Sequence, residues 1–478
     1  MAAIPIPLGP TSDKAKSRQG GGSVLVNCYV EETAGGKTAY SINADPRLRL
    51  FTTVLSGGAG RGALAVGNSL YVVCGEGLFK VASTGIATRL GTVLGQRPVV
   101  MSVNRKAPYV QITITADTKN YYVENDVLAE VTDADLPAGV HSNCYIKGRT
   151  VYGLRDGSYY WSGENATETI DALNFAEAER DSDEGVRVYA YDEYLWVFGS
   201  RSREVIQFTA STSEPELFTP LPGMAQGDGD GCSARHSPAT VNGAVYWVND
   251  YKTVVASTGG KAERVSNHEV DRDIEQAIRD GQGDDLTGFA YGVEGHQFYY
   301  LRGPSWCWVL DTSTGLWHRR ESYLSDTFRC GFYVDAFSKS LLLDATDGKL
   351  YEYGFTTQDD AGEPFIMKVV TSPLNAFPDG YKCASLHVDM QSGVGDAESA
   401  AYIQEPEVML RVSRDGGMTW GNEHRRTAGA QGRYSQAVRF SRLGHTNGRG
   451  MAFEISMSAP VQRALFQAVA NVEPLRAG

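Results

Sequence analysis

The chain has no Cys-x-x-Cys, and none of its eight histidines (His141, His236, His268, His296, His318, His387, His424, His445) stands at metal-ligand spacing or in a serine-nucleophile motif. Its seven cysteines, Cys28, Cys74, Cys144, Cys232, Cys307, Cys330 and Cys383, are scattered and odd in number. That pattern argues against a disulfide framework and a zinc site, and predicts buried free thiols in a reducing compartment. Long apolar runs are missing too. Nothing approaches the ~20 residues of a membrane span, and the opening "MAAIPIPLGPTSDKAKSRQGGG" has no apolar core of signal-peptide length. The expectation is a soluble protein made in the cytoplasm, with no membrane span. Helix-building runs of Ala, Leu, Glu and Lys are scarce. Positive charge is short as well: 44 Lys and Arg face 57 Asp and Glu, a net of −13. Gripping nucleic acid needs clustered cations, so a sequence-reading DNA binder is excluded. A wall that DNA slides past is not.

What is present points to strands. The 53 glycines, 25 tyrosines and 17 phenylalanines in 478 residues favour a β-rich fold with tight turns. From residue 60 a unit recurs: turn, aromatic-aliphatic strand, turn, strand. Examples are "GNSLYVVCGEGLFKV", "KGRTVYGLRDGSYYWS" and "YDEYLWVFGSRSREVIQF". Centred on Tyr71, Ile112, Tyr152, Trp196, Tyr246, Tyr299 and Leu342, the units lie 41, 40, 44, 50, 53 and 43 residues apart. A period of about 40–50 residues with paired strands marks β-propeller blades. The count is about seven, with six or eight open if one unit is a bridging element. "DTSTGLWH" (Asp311 to His318) has the Asp-…-Gly-x-Trp turn common in such blades.

One helix is predicted within the repeats, in "NHEVDRDIEQAIRDG". Asn267 is its N-cap, Val270, Ile274, Ala277 and Ile278 form its apolar stripe, and Gly281 sits at C′. The organisation read from composition is an extended arm over 1–55, a β-propeller over 56–358 and a C-terminal β-sandwich or jelly roll over 359–478. The last assignment rests on alternating strands such as "EVMLRVS" and "MAFEISMS".

Motifs that resemble chemistry are few. "SRDGGMTW" resembles the Asp-box of sialidase propeller blades, with Ser413, Asp415, Gly417, Thr419 and Trp420 in the patterned places. It stands alone, in the sandwich. The reading is therefore a hairpin device in which Ser413 and Asp415 bond the turn, the glycines admit positive φ, and Trp420 packs underneath. "GGKT" at Gly35 to Thr38 and "GGAGRG" at Gly57 to Gly62 fail the phosphate-loop pattern. "GDGDGC" (Gly227 to Cys232) lacks the glutamate of a calcium loop and reads as a flexible loop. No catalytic, cofactor or metal site is expected. Charge is uneven: residues 361–478 hold 12 Lys and Arg against 11 Asp and Glu, so the acidity lies in the first 360 residues. Arg411, Arg414, Arg425, Arg426, Arg433, Arg439, Arg442 and Arg449 crowd one stretch. They form either a patch that docks an acidic neighbour or a solvated face.

Three segments in order carry a resemblance. "LVNCYVE" runs from Leu25 to Glu31, "FA…YDEYLWVFGS…EVIQF" from Phe175 to Phe208, and "SGVG…LRVSRDGGMTWG…RLG" from Ser392 to Gly444. Together they resemble the packaged-DNA stabilisation proteins of short-tailed phages, which form the tail hub or nozzle. The resemblance implies a structural, non-enzymatic virion protein of the tail, assembled in the host cytoplasm. It implies six copies ringing the tail axis beneath the portal and its adaptor ring, carrying fibres or spikes and a plug or needle. Genomic DNA would pass through the lumen without sequence-specific contacts. The rival reading is a glycan-binding or sialidase-like propeller, which would show several boxes and separated arginines in a propeller pocket. A third, a cytoplasmic scaffold propeller, would lack the ordered three-part match.

Overall fold

The computed structural model describes residues 2–17, 20–117, 119–178, 183–209, 216–221, 223–224, 226–446 and 448–475. Seven antiparallel blades of four strands succeed one another from residue 60 onward. The first is built from Gly60–Val66, Ser69–Cys74, Gly77–Val81 and Ala87–Thr92. All seven repeat centres fall on the second strand of successive blades and are buried. The period in the sequence is thus the period of the fold. Burying both faces of each small sheet against its neighbours is what makes the ring stable.

Aromatic side chains fill the joints between blades. Trp196 of the fourth blade and Trp247 of the fifth meet edge to face at 6.1 Å. The Arg203 guanidinium lies 4.2 Å from the first ring and 5.4 Å from the second. Its charge is met by Asp230 at 2.9 Å. That contact fixes the loop Gly227 to Cys232, where Gly229 and Asn249 are also hydrogen-bonded.

The seventh blade takes its outer strand from far upstream. Arg47–Thr53 pairs with Lys349–Gly354, from Arg47 opposite Gly354 to Thr53 opposite Lys349. The first 55 residues therefore do not form a separate arm. Ala2–Ile6, Cys28–Glu32 and Tyr40–Ala44 join Gly380–Met390, Val438–Thr446 and Ala464–Leu475 in one sheet of the sandwich. Gly22–Val26 joins Met367–Val370, Ala452–Met457, Glu407–Ser413 and His424–Thr427 in the other. Ile6, Leu8, Leu25, Val30 and Ile42 sit in the core between these sheets with Leu386, Leu410, Phe440 and Phe453. The glycines of the opening segment serve close packing. A Cβ on Gly22, at φ 148°, would stand 2.4 Å from the Asp13 carbonyl oxygen.

Gly22–Val26 also runs beside Leu316–Arg319, the outer strand of the sixth blade, so one ten-stranded sheet crosses from propeller to sandwich. Asn27 ties this weld. It donates to the Ile366 carbonyl at 2.9 Å and accepts from Arg320 at 3.0 Å and from the Glu321 amide at 2.8 Å. Arg320 is fully buried and grips Asp360 with 2.8 Å bonds to both carboxylate oxygens, while Asp360 also accepts from the Leu48 amide.

The helix His268–Arg279 forms with Asn267 accepting from the Glu269 and Val270 amides, and Gly281 follows at φ 77°. Val270, Ile274 and Ala277 face the joint between the fifth and sixth blades. Glu269 and Arg272 hold the backbone of Lys14, fixing the start of the chain to the propeller.

Candidate functional site

All seven cysteines are free and buried. Burial pushes their thiols up, those of Cys232 and Cys383 to about 11, so they act as packing groups. Among the described residues no group of three or more His, Cys, Asp or Glu side chains is arranged to hold a metal. No helix among them is long and apolar enough to cross a membrane.

The box at Ser413 is a closed set of local bonds. Ser413 Oγ donates to Asp415 at 2.7 Å and accepts from the Gly417 amide at 2.8 Å. Asp415 further accepts from the Met418 amide and from the Thr419 amide and hydroxyl. Partial burial pushes the Asp415 carboxyl up, but the donors of Thr419, Ser413 and Met418 outweigh it and hold it at about 2. Gly416 and Gly417 take φ of 75° and 93°. Both carboxylate oxygens of Asp415 and the Ser413 hydroxyl are bonded within the turn, as a hairpin device requires. Trp420 differs from expectation. It is half-buried and, with Met418, lines a cleft of about 460 Å³ with Lys14, Arg319, Glu321 and Lys368, between the sandwich and the sixth blade.

The structure divides the eight arginines. Arg411 pairs with Glu454 across neighbouring strands at 3.3 Å. Arg414 donates to the Leu443 carbonyl at 2.8 Å. Arg425 pairs with Glu423 and Glu407, and Arg433 lies 3.8 Å from Glu405. Arg426 lies over the Phe440 ring at 5.7 Å and donates to the Arg439 carbonyl. Arg439, Arg442 and Arg449 are exposed, and among the described residues their side chains pair with no carboxylate. His424–Thr427 and Val438–Thr446 are the outermost strands of their two sheets. Arg425, Arg426, Arg439 and Arg442 thus mark one rim of the sandwich. Strand pairing brings Glu405, Glu407 and Glu454 to arginines that sequence spacing left unopposed.

A second charged constellation has no counterpart in the sequence reading. Arg97 lies between the first and second blades, Arg235 between the fourth and fifth, and Asp284 between the fifth and sixth. The ring places the first and last of these connections on opposite sides of its axis. Arg97 nonetheless meets Asp284 at 2.6 Å, and Arg235 stands 3.6 Å from the same carboxylate. An ionic bridge therefore crosses the mouth of the propeller axis. No motif announces it, because its members are separated by about 140 and 50 residues and only the ring brings them together.

Two family models match the chain, one for each unit. Residues 22–357 match "Bacteriophage P22 Gp10, beta-propeller" and residues 367–473 match "Bacteriophage P22 Gp10, beta-sandwich". No curated protein matches. Similar solved structures include a streptogramin B lyase, at 10% identity over 65% of this chain and 98% of that one, with a TM-score of 0.45. The WD40 propeller domain of Doa1 is similar at 10% identity, over 64% and 96% of the two chains, with a TM-score of 0.42. BamB from Moraxella catarrhalis is similar at 12% identity, over 74% and 97%, with a TM-score of 0.38.

Proposed function

The chain belongs to the bacteriophage P22 Gp10 family, and from that premise we propose that it is a ring-forming tail hub. In this reading six copies surround the tail axis below the portal and its adaptor ring, extend and close the DNA channel, and retain the packaged genome. The same ring anchors fibres or spikes and a plug or needle. The chain is a phage tail structural protein by family; the ring, its neighbours and its hold on DNA are the proposal.

The observation that carries it is the match of both units, in order, to one phage tail family over 22–357 and 367–473. The closed propeller mouth supports the geometry. With Arg97 and Asp284 joined across the axis, a duplex has no route through the propeller itself, so a DNA channel has to be formed between copies. The net charge of −13 suits such a wall, since tight phosphate contacts would stall passage. The rim of Arg425, Arg426, Arg439 and Arg442 is the face proposed to dock an acidic neighbour, such as the propeller of the next copy. Contacts shared around a closed ring add up even where each is weak.

The test is a knockout in the parent phage with DNA-filled heads counted in micrographs. Heads that fill and then empty, with tails missing beyond the adaptor, are the expected result. Particles that keep DNA and tails but fail to adsorb would overturn the hub reading in favour of a receptor- or glycan-binding component.

A further inference from the structure

The sandwich carries a second concavity, on the outer face of the sheet that the opening strands complete. It encloses about 570 Å³, within the range of about 300–1,000 Å³ of clefts that hold small organic ligands. Val438–Thr446, Gly380–Met390 and Ala464–Leu475 lie side by side as its floor. Leu386 and Val388 point into the core, so His387 and Asp389, alternating with them, point away from it. Asp389 stands opposite Gln467, and His387 opposite Val469. Two loops make the walls. One joins Cys28–Glu32 to Tyr40–Ala44, and its Lys37 reaches Asp389 at 2.5 Å and lies 5.7 Å over the Phe466 ring. The other leads into Val438 and carries Tyr434, Ser435 and Gln436.

The Tyr434 wall is fixed. Its carbonyl accepts from Ser392 Oγ at 2.8 Å, and the Gln436 amide bonds back to the Arg433 carbonyl. A Cβ on Gly393 would stand 3.0 Å from the Tyr434 ring, so the ring lies along bare backbone. It is nonetheless 77% exposed. A flat ring held in solvent on a pinned loop is stacking surface that the fold itself does not use. The hydrogen-bonding groups around it are largely uncommitted. Asp389 engages Lys37 and the Gln467 side chain through Oδ2 alone. Among the described residues its Oδ1, His387 Nδ1, the Gln391 side chain and the Tyr434 and Ser435 hydroxyls have no partner, and all are open to solvent.

Three features narrow the ligand. The lysine and the aspartate that line the groove, Lys37 and Asp389, form one ion pair, so no surplus charge draws a phosphate or an acidic chain. The floor presents Asp389, Gln467 and His387, where a protein partner would seat an apolar anchor. What remains is a set of donors and acceptors beside an exposed aromatic face. That suits a ligand hydroxylated around its edge and apolar on its faces, which describes a sugar ring. We propose that this groove binds a neutral saccharide, one ring stacking on Tyr434 and its hydroxyls bonding Asp389, Gln391 and Gln467. The groove shares no residue with the arginine rim or the Ser413 turn, and it does not depend on the hub reading.

The experiment is a glycan array probed with the labelled full-length chain. The array carries neutral hexose and N-acetylhexosamine oligosaccharides beside sialylated and sulfated ones. Binding to at least one neutral glycan is expected, and isothermal titration with that glycan should give one site per chain. Tyr434→Ala should weaken binding by about tenfold, the effect of one lost stacking contact. Asp389→Asn should weaken it by about tenfold as well, the effect of one charge-assisted bond. Tyr402→Ala removes another exposed ring of the sandwich and should leave the affinity unchanged. Should Asp389→Asn fail to fold, Gln467→Ala takes its place with the same expectation. A blank array, binding retained in Tyr434→Ala, or a preference for sialylated or sulfated glycans would overturn the site. A blank array together with loss of the Tyr434→Ala protein from assembled tails would assign the groove to a protein neighbour and overturn the saccharide too.

Discussion

The weld between propeller and sandwich buries its arginine fully, the mouth of the propeller axis buries its own only in part, and the two differ in what faces the charge. At the weld, Arg320 meets both oxygens of Asp360 and the side chain of Asn27. At the mouth, Arg187, on the inner strand Gly185–Tyr191 of the fourth blade, meets the Arg235 carbonyl, the Tyr189 ring and neutral groups. The first arrangement spends its charge on joining two units of one chain. The second leaves Arg187 with no carboxylate against it among the described residues. The two places thus differ on a single criterion: whether the cation meets an anion of the same chain.

The sharpest way to break the comparison is to remove the anion at the weld. Asp360→Ala leaves Arg320 buried and alone, which should cost about 3–5 kcal/mol. Urea unfolding followed by far-UV circular dichroism checks this, and a loss near zero would show that the weld is not fastened there. The converse change is predicted to have the opposite sign. Arg187→Met keeps much of the stem's packing and removes a charge that no carboxylate meets, so stability should hold or rise by about 1 kcal/mol. A loss comparable to that of Asp360→Ala would abolish the distinction between the two sites.

Asp415 gives an exposed reference. Its donors sit in its own turn, and Asp415→Asn should cost about 1 kcal/mol. Its carboxyl lies at about 2 in the folded chain against an ordinary 3.8. The contribution is therefore complete above about 3.8 and is lost as pH falls towards 2. Unfolding midpoints measured across that window should converge for the two proteins at the acid end. The smallest effect on folding belongs to the sandwich rim. Arg425→Glu with Arg426→Glu should lower the unfolding midpoint only slightly, because the contacts they lose lie at the solvent-exposed surface. The same double variant should reduce incorporation into tails, and normal incorporation would sink the docking role.

The comparison also explains what the sequence makes legible. The seven repeat centres, the Asn267 cap and the Ser413 turn are set by residues within a few places of one another, and local patterns report them. The closing strand Arg47–Thr53 has its partner near residue 350, beyond the reach of any local period. The opening glycines read as a loose arm, yet Gly22 is there because the Asp13 backbone lies against it. Of the arginines crowded in the sequence, Arg411, Arg425 and Arg433 meet carboxylates that spacing does not reveal, while Arg97 and Arg235, far apart in the chain, meet at Asp284. The family resemblance succeeds because it rests on ordered segments along the whole chain.

The late arrival of partner strands has a consequence for synthesis. Arg47–Thr53 leaves the ribosome roughly 300 residues before Lys349–Gly354, and at about 5–20 residues per second that is a wait of some tens of seconds. Ala2–Ile6 waits longer still, for Ala464–Leu475. Throughout that interval the nascent chain carries open strand edges, which invite pairing with neighbours. The propeller ring can close once Lys349–Gly354 has emerged, whereas the sandwich sheet waits for Ala464–Leu475 at the far end. A chain interrupted between the two would carry a closed ring and an unfinished sandwich.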